Sequence, residues 1–65
     1  MQICVNGNWH KVGAASLSEA LSELGYRDAA IATAVNGAFV AQGARGMTKI
    51  KEGDRIEIVA PMQGG

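Results

Sequence analysis

The chain opens with strict alternation. Met1, Ile3 and Val5 fall on one side of an extended segment and Gln2 and Cys4 on the other, the period-two pattern of a strand with one buried face. Asn6-Gly7 follows, a pair whose residues both tolerate positive φ and which therefore favours a tight hairpin. Trp9 to Val12 resumes as a returning strand. The period then changes. Leu17, Ala20, Leu21 and Leu24 are spaced i, i+3, i+4 and i+7, one apolar stripe of a helix. Ser16-Leu17-Ser18-Glu19 supplies a capping box at its start and Gly25 a left-handed cap at its end. The spacing predicts a helix over about Leu17 to Leu24, too short to persist without packing on a sheet. Tyr26 to Ala30 reads as an exposed connection marked by Arg27 and Asp28. Alanines at 29, 30, 32 and 34 carry helix propensity. Even so, Ile31, Thr33 and Val35 alternate, and Asn36-Gly37 with Ala38-Phe39-Val40 completes a second hairpin. Ala41 to Lys49 reads as loop, with Ile50 tucked under the core. Glu52-Gly53-Asp54 turns into a last strand in which Ile56 and Ile58 alternate with Arg55 and Glu57.

Helix on one face of a mixed sheet buries one helical stripe and one sheet face together. The expected core is Ile3, Val5, Val12, Leu17, Leu21, Leu24, Val35, Val40, Ile56 and Ile58. Pro61 ends the last strand because it has no N–H for a ladder. The division is a folded unit over residues 1–60 and a flexible tail over 61–65. The tail ends in Gly64-Gly65, which lack Cβ atoms and can thread a narrow channel together with Gln63.

With 65 residues the chain is one domain, and such a domain buries only about 60% of the surface its unfolded chain exposes. A deep, enclosed active site does not fit that size. Six basic residues balance six acidic ones, so the basic footprint of a nucleic-acid binder is missing. One cysteine cannot form an internal disulfide, no signal peptide is expected at the start, and no run approaches a membrane span. These features predict a cytoplasmic protein with no nucleic-acid or membrane partner.

Little in the chain resembles catalytic equipment. Cys4 and His10 could form a thiol–base pair, but a cysteine in a strand is commonly a small buried hydrophobe. Two such ligands are too few for a structural zinc site, which takes four, so no metal is expected. Gly43-Ala44-Arg45-Gly46 matches the GXXG of KH modules, yet that loop must lie between two helices. Trp9, Tyr26 and Phe39 are too scattered for a base-stacking platform, and core or rim packing is their default. Arg45, Lys49, Lys51 and Arg55, interleaved with Glu52, Asp54 and Glu57, read as a solvated face. Val59 and Met62, on either side of Pro61, are expected to stay exposed and to serve partner docking, with Met62 adaptable to an irregular surface.

Three strings taken together resemble a known family: Ala34-Val35-Asn36-Gly37, then Glu52-Gly53-Asp54-Arg55-Ile56-Glu57-Ile58-Val59, then the terminal Gly64-Gly65. Over the whole chain they are similar to the thiamine-biosynthesis sulfur carriers, the ThiS family, of ubiquitin-like β-grasp fold. The resemblance implies an α+β fold in which the first and last strands pair in parallel at the sheet centre. It implies a carrier rather than an enzyme, with no bound cofactor. By the same resemblance, the Gly65 carboxylate is expected to be adenylated by an E1-like adenylyltransferase using ATP, then converted to a thiocarboxylate. A cysteine desulfurase or other persulfide donor is implied as the source of the sulfur and a thiazole synthase as its acceptor. Arg45 stands where family members carry a basic residue after the second hairpin, and so joins Val59 and Met62 as a docking candidate; the aromatic that often follows is absent. Related readings are a molybdopterin synthase small subunit, a ubiquitin-like modifier, and a β-grasp binding module.

Overall fold

The computed structural model describes residues 1–26 and 31–60. The connection residues 27–30, and the Pro61–Gly65 tail with its boundary, lie outside the described residues. Within them run β1 (Gln2–Val5), β2 (Asn8–Lys11), α1 (Leu17–Glu23), β3 (Ala32–Val35), β4 (Ala38–Val40), a 3₁₀ helix (Gln42–Met47) and β5 (Arg55–Val59). The strands form one sheet of order β2-β1-β5-β3-β4. β5 pairs in parallel with β1 and antiparallel with β3, so the last strand of the chain lies at the centre of the sheet.

Both hairpins use the same turn. Asn6 and Gly7 sit at φ 50° and 86°, Asn36 and Gly37 at 52° and 86°, the paired left-handed residues of a type I′ turn. This geometry fixes the register of β1 on β2 and of β3 on β4, and with it which side chains face inward. Ile3 and Val5, Ile56 and Ile58, Thr33 and Val35, and Val40 share the inner face. Against it lies α1, which contributes Leu17, Ala20 and Leu21 to the core.

The caps explain why so short a helix holds. Ser16 Oγ accepts from Glu19 N–H at 3.2 Å, and the Glu19 carboxylate accepts in return from Ala15 N–H at 3.0 Å. At the other end Gly25 takes φ 92°. Gly25 N–H donates to Ser22 O and Tyr26 N–H to Leu21 O, the two bonds of a Schellman motif. The start of the helix is tied across to the chain before β5: Leu17 N–H donates to Thr48 O and Ile50 N–H to Ala15 O.

Ile3 and Leu17 are fully buried and Ile56 nearly so, each burial worth roughly 1.5–3 kcal/mol. Of the expected core, Leu24 and Val35 are only partly buried; Ile50 is tucked under it as expected, and Ala14 and Ala20 join it. The helix spans Leu17–Glu23 with Leu24 as its C-cap, and β3 begins at Ala32 rather than Ile31.

Three expectations are corrected. The segment after β4 is not plain loop: Gln42–Met47 winds into a 3₁₀ helix. Its glycines hid that tendency, and the turn is held by its packing beside α1. Arg45 is not on a solvated face. The turn carries it inward, where it is 6% exposed, and its Nε donates to Thr33 Oγ1 at 3.1 Å and Nη2 to Ile31 O at 2.6 Å. A side chain buried this far, with Nε and Nη2 turned inward, offers little surface to a partner, which counts against a docking role for Arg45. Asp54 is buried as well, because its carboxylate accepts from Lys51 N–H and from Asn36 Nδ2 and so closes the turn that starts β5.

Candidate functional site

β5 is the element from which the C-terminal residues leave. Its inward residues, Ile56 and Ile58, are buried while Arg55, Glu57 and Val59 face out. Each end of the strand is clasped by an asparagine side chain. Asn36 Oδ1 accepts from Arg55 N–H at 2.9 Å on the β3 side. Asn6 Oδ1 accepts from Ile58 N–H at 2.8 Å, and its Nδ2 donates to Ile58 O at 3.1 Å, on the β1 side. A carboxamide oxygen accepts and its NH2 donates, so the Asn6 side chain acts as an extra rung of the ladder, while Asn36 accepts from the strand once and turns its Nδ2 to Asp54 Oδ1. The strand that anchors the terminus is thereby fixed along its whole length.

Among the described residues nothing covers the sheet face away from α1. The register places Trp9, Cys4 and Arg55 side by side across it, then Phe39, Ala34 and Glu57, then Ala32 and Val59. Phe39 is 72% exposed, Val59 63% and Trp9 57%. With strands about 4.8 Å apart, the two aromatics stand roughly 20 Å from each other on the outermost strands. The alanines between Phe39 and Val59 leave a low floor, and a shallow groove lined by Cys4, Asn6, Gly7, Arg55, Glu57 and Val59 runs along the β1 side of β5. An apolar face with charges at its middle is suited to docking a protein surface.

Val59 stands exposed, as expected of a docking residue. Met62 and the tail residues Gln63, Gly64 and Gly65 lie outside the described residues. Trp9 and Phe39 are not rim packing; they belong to the open face. Alternation alone could have placed Phe39 there, since Val40 beside it points into the core. The clasping role of Asn6 and Asn36 had no sequence signal beyond the turn itself, because Ile58 is 52 positions from Asn6.

Cys4 and His10 cannot act together. Cys4 lies opposite Trp9 on the outer face, and His10 lies opposite Ile3 on the inner one. Gly43 to Gly46 sits in the 3₁₀ turn with Arg45 buried, not between the helices a nucleic-acid loop requires. Among the described residues no group of three or more His, Cys, Asp or Glu could hold a metal ion, and no helix is long and apolar enough to cross a membrane.

Known proteins agree with this architecture. A crystal structure of a thiamine biosynthesis protein, ThiS, from Geobacter metallireducens superposes with a TM-score of 0.84 at 33% identity, covering 100% of both chains. An NMR solution structure of a thiamine biosynthesis protein from the same organism gives 0.78 at 30% identity, covering 100% of this chain and 88% of the other. No curated protein matches. The expected β-grasp arrangement, with β1 and β5 parallel and one main helix on one face, is what these structures share. The ThiS family model matches residues 5–65, through the second hairpin, β5 and the terminal glycine pair, and the chain belongs to the ThiS family.

Proposed function

We propose that the protein is a sulfur carrier for thiazole formation in thiamine biosynthesis, working at the carboxylate of Gly65. The observation that carries this reading is the family match running through Gly64-Gly65, on a fold whose central strand leads directly to them. A carboxylate acylates poorly. An E1-like adenylyltransferase joins it to the AMP portion of ATP, releasing pyrophosphate. The outer sulfur of a persulfide, from a cysteine desulfurase or other donor, then attacks the acyl-adenylate and expels AMP, giving an acyl disulfide. A second thiol attacks the donor's sulfur in that S–S bond, leaves as a disulfide with the donor, and frees the thiocarboxylate, a stronger nucleophile for thiazole synthase.

The protein's own part is to present an acyl end and a surface. The open face formed by Trp9, Phe39, Ala32, Ala34 and Val59 fits an apolar patch on the adenylating enzyme, and Arg55 and Glu57 fix the orientation through opposite charges. Glycines at 64 and 65 let the end pass into a slot too narrow for a Cβ, Gln63 precedes them in the sequence, and Met62 joins Val59 as a docking residue. Chemistry is left to the partners, which suits a domain of 65 residues.

Incubation with ATP, the adenylating enzyme and a persulfide donor, read by intact mass, tests the proposal. The intact protein should gain the mass of sulfur replacing oxygen, and the form lacking Gly64 and Gly65 should not. Lysine-linked conjugates in place of that gain would instead mark a modifier, and equal behaviour of both forms would leave only a binding module.

A further inference from the structure

The clasp at Ile58 sits where the sheet stops supporting β5 on one side. β1 ends at Val5, and its pairing with β5 reaches only to Ile56. On the other edge β3 continues alongside to the Ala32–Val59 pair. Among the described residues, the β1 edge of β5 beyond Ile56 therefore has no strand beside it, and there the N–H and C=O of Ile58 are met only by Asn6. The turn does not require asparagine for this. Glycine adopts φ near 50° without strain, but only a carboxamide can return both a donor and an acceptor to Ile58.

We propose that Asn6 is a positioning residue for the acyl chemistry at Gly65. By completing the ladder at Ile58 it holds β5 straight to Val59, the residue at the edge of the docking face. The docking face and the departure point of the C-terminal residues thereby keep one fixed relation. Docking on the outer face then delivers the carboxylate in a constant register, so loss of the clasp lowers turnover rather than docking. The inference rests on the sulfur-carrier reading.

The test compares Asn6→Gly and Asn6→Asp with Asn36→Gly. Asn6→Gly keeps the turn and removes both bonds. Asn6→Asp keeps an acceptor for Ile58 N–H but sets an oxygen against Ile58 O. Asn36→Gly removes the clasp at the far end of β5 and serves as the control for general loosening. Amide hydrogen exchange should show Ile58 losing about tenfold or more of its protection in both Asn6 variants while Leu21 keeps its own, the mark of a local opening. ATP–pyrophosphate exchange with the host's E1-like adenylating enzyme, run well below the melting temperature of every variant, should show kcat falling about ten- to a hundredfold in the Asn6 variants. KM for the carrier should change far less than kcat, by no more than about threefold, since Asn6 lines the groove but Trp9 and Phe39 stay in place. Asn36→Gly should keep the kcat of the unaltered protein. Equal kcat in Asn6→Gly and the unaltered protein, or an equal loss in Asn6→Gly and Asn36→Gly, overturns the proposal and leaves the carrier reading standing. An unaltered protein that supports no exchange overturns both.

Discussion

The buried chain Arg45–Thr33–Val40 lends itself to a quantitative test by Thr33→Val. Thr33 is 2% exposed; its Oγ1 donates to Val40 O at 2.9 Å and accepts from Arg45 Nε at 3.1 Å. Valine has the same shape, so no cavity opens and the change isolates the polar terms. The lost neutral bond costs about 1 kcal/mol, and leaving a buried charged donor unpaired costs about 2–3 kcal/mol. Burying a methyl in place of a hydroxyl returns roughly 1 kcal/mol. The net loss is about 2–3 kcal/mol, a large share of the roughly 3–10 kcal/mol expected of a domain this size. It should lower Tm by about 10–20 °C.

Arg45→Met removes the charge itself. It leaves Ile31 O unpaired but also lifts the desolvation cost of the guanidinium, so its penalty should be smaller, about 1–2 kcal/mol. In the double variant no charge is stranded, and the combined loss should fall short of the sum by at least about 1 kcal/mol. Urea denaturation, with midpoints compared at constant slope, measures all three. Losses that add to within about 0.5 kcal/mol would refute the view that Thr33 is there to partner the guanidinium.

Two further outcomes follow from the open face and the turns. Phe39→Ser together with Val59→Ser should raise the carrier's KM for the adenylating enzyme about tenfold or more while the urea midpoint stays nearly unchanged, since both side chains are largely exposed and are the proposed docking anchors; an unchanged KM places docking elsewhere. Gly37→Ala forces a Cβ into φ 86° with nothing crowding it, so circular dichroism melts should show a loss of about 1–2 kcal/mol from backbone strain alone.

Much of the fold was legible because its signals are local. Two Asn-Gly pairs fixed both hairpins, Ser16 and Glu19 marked the helix start, and Ile56 and Ile58 declared the inward side of β5. What stayed hidden depends on contacts distant in the chain. Arg45 and Asp54 look like surface charges until the fold brings Thr33, Ile31 and Asn36 to them. Cys4 lies on the outward side of its strand yet is buried, because Trp9 and Arg55 flank it on neighbouring strands. The terminal glycines were legible as a handle. The open face proposed to serve them was not: alternation could set Phe39 opposite Val40, but that Trp9 shares its side of the sheet emerges only with strand order.

The asparagine clasps have a chemical consequence. Asn-Gly is the sequence in which the next amide nitrogen, with no side chain in its way, most readily attacks the carboxamide, expels ammonia and closes a succinimide that water reopens to aspartate or isoaspartate. While Asn6 and Asn36 grip β5, their carboxamides are held by hydrogen bonds at both the oxygen and the nitrogen, and the reaction must wait for the strand to let go. Deamidation at these sites should therefore track how often the clasps open, and a molecule that has aged this way carries a new negative charge where a neutral carboxamide bonded the strand.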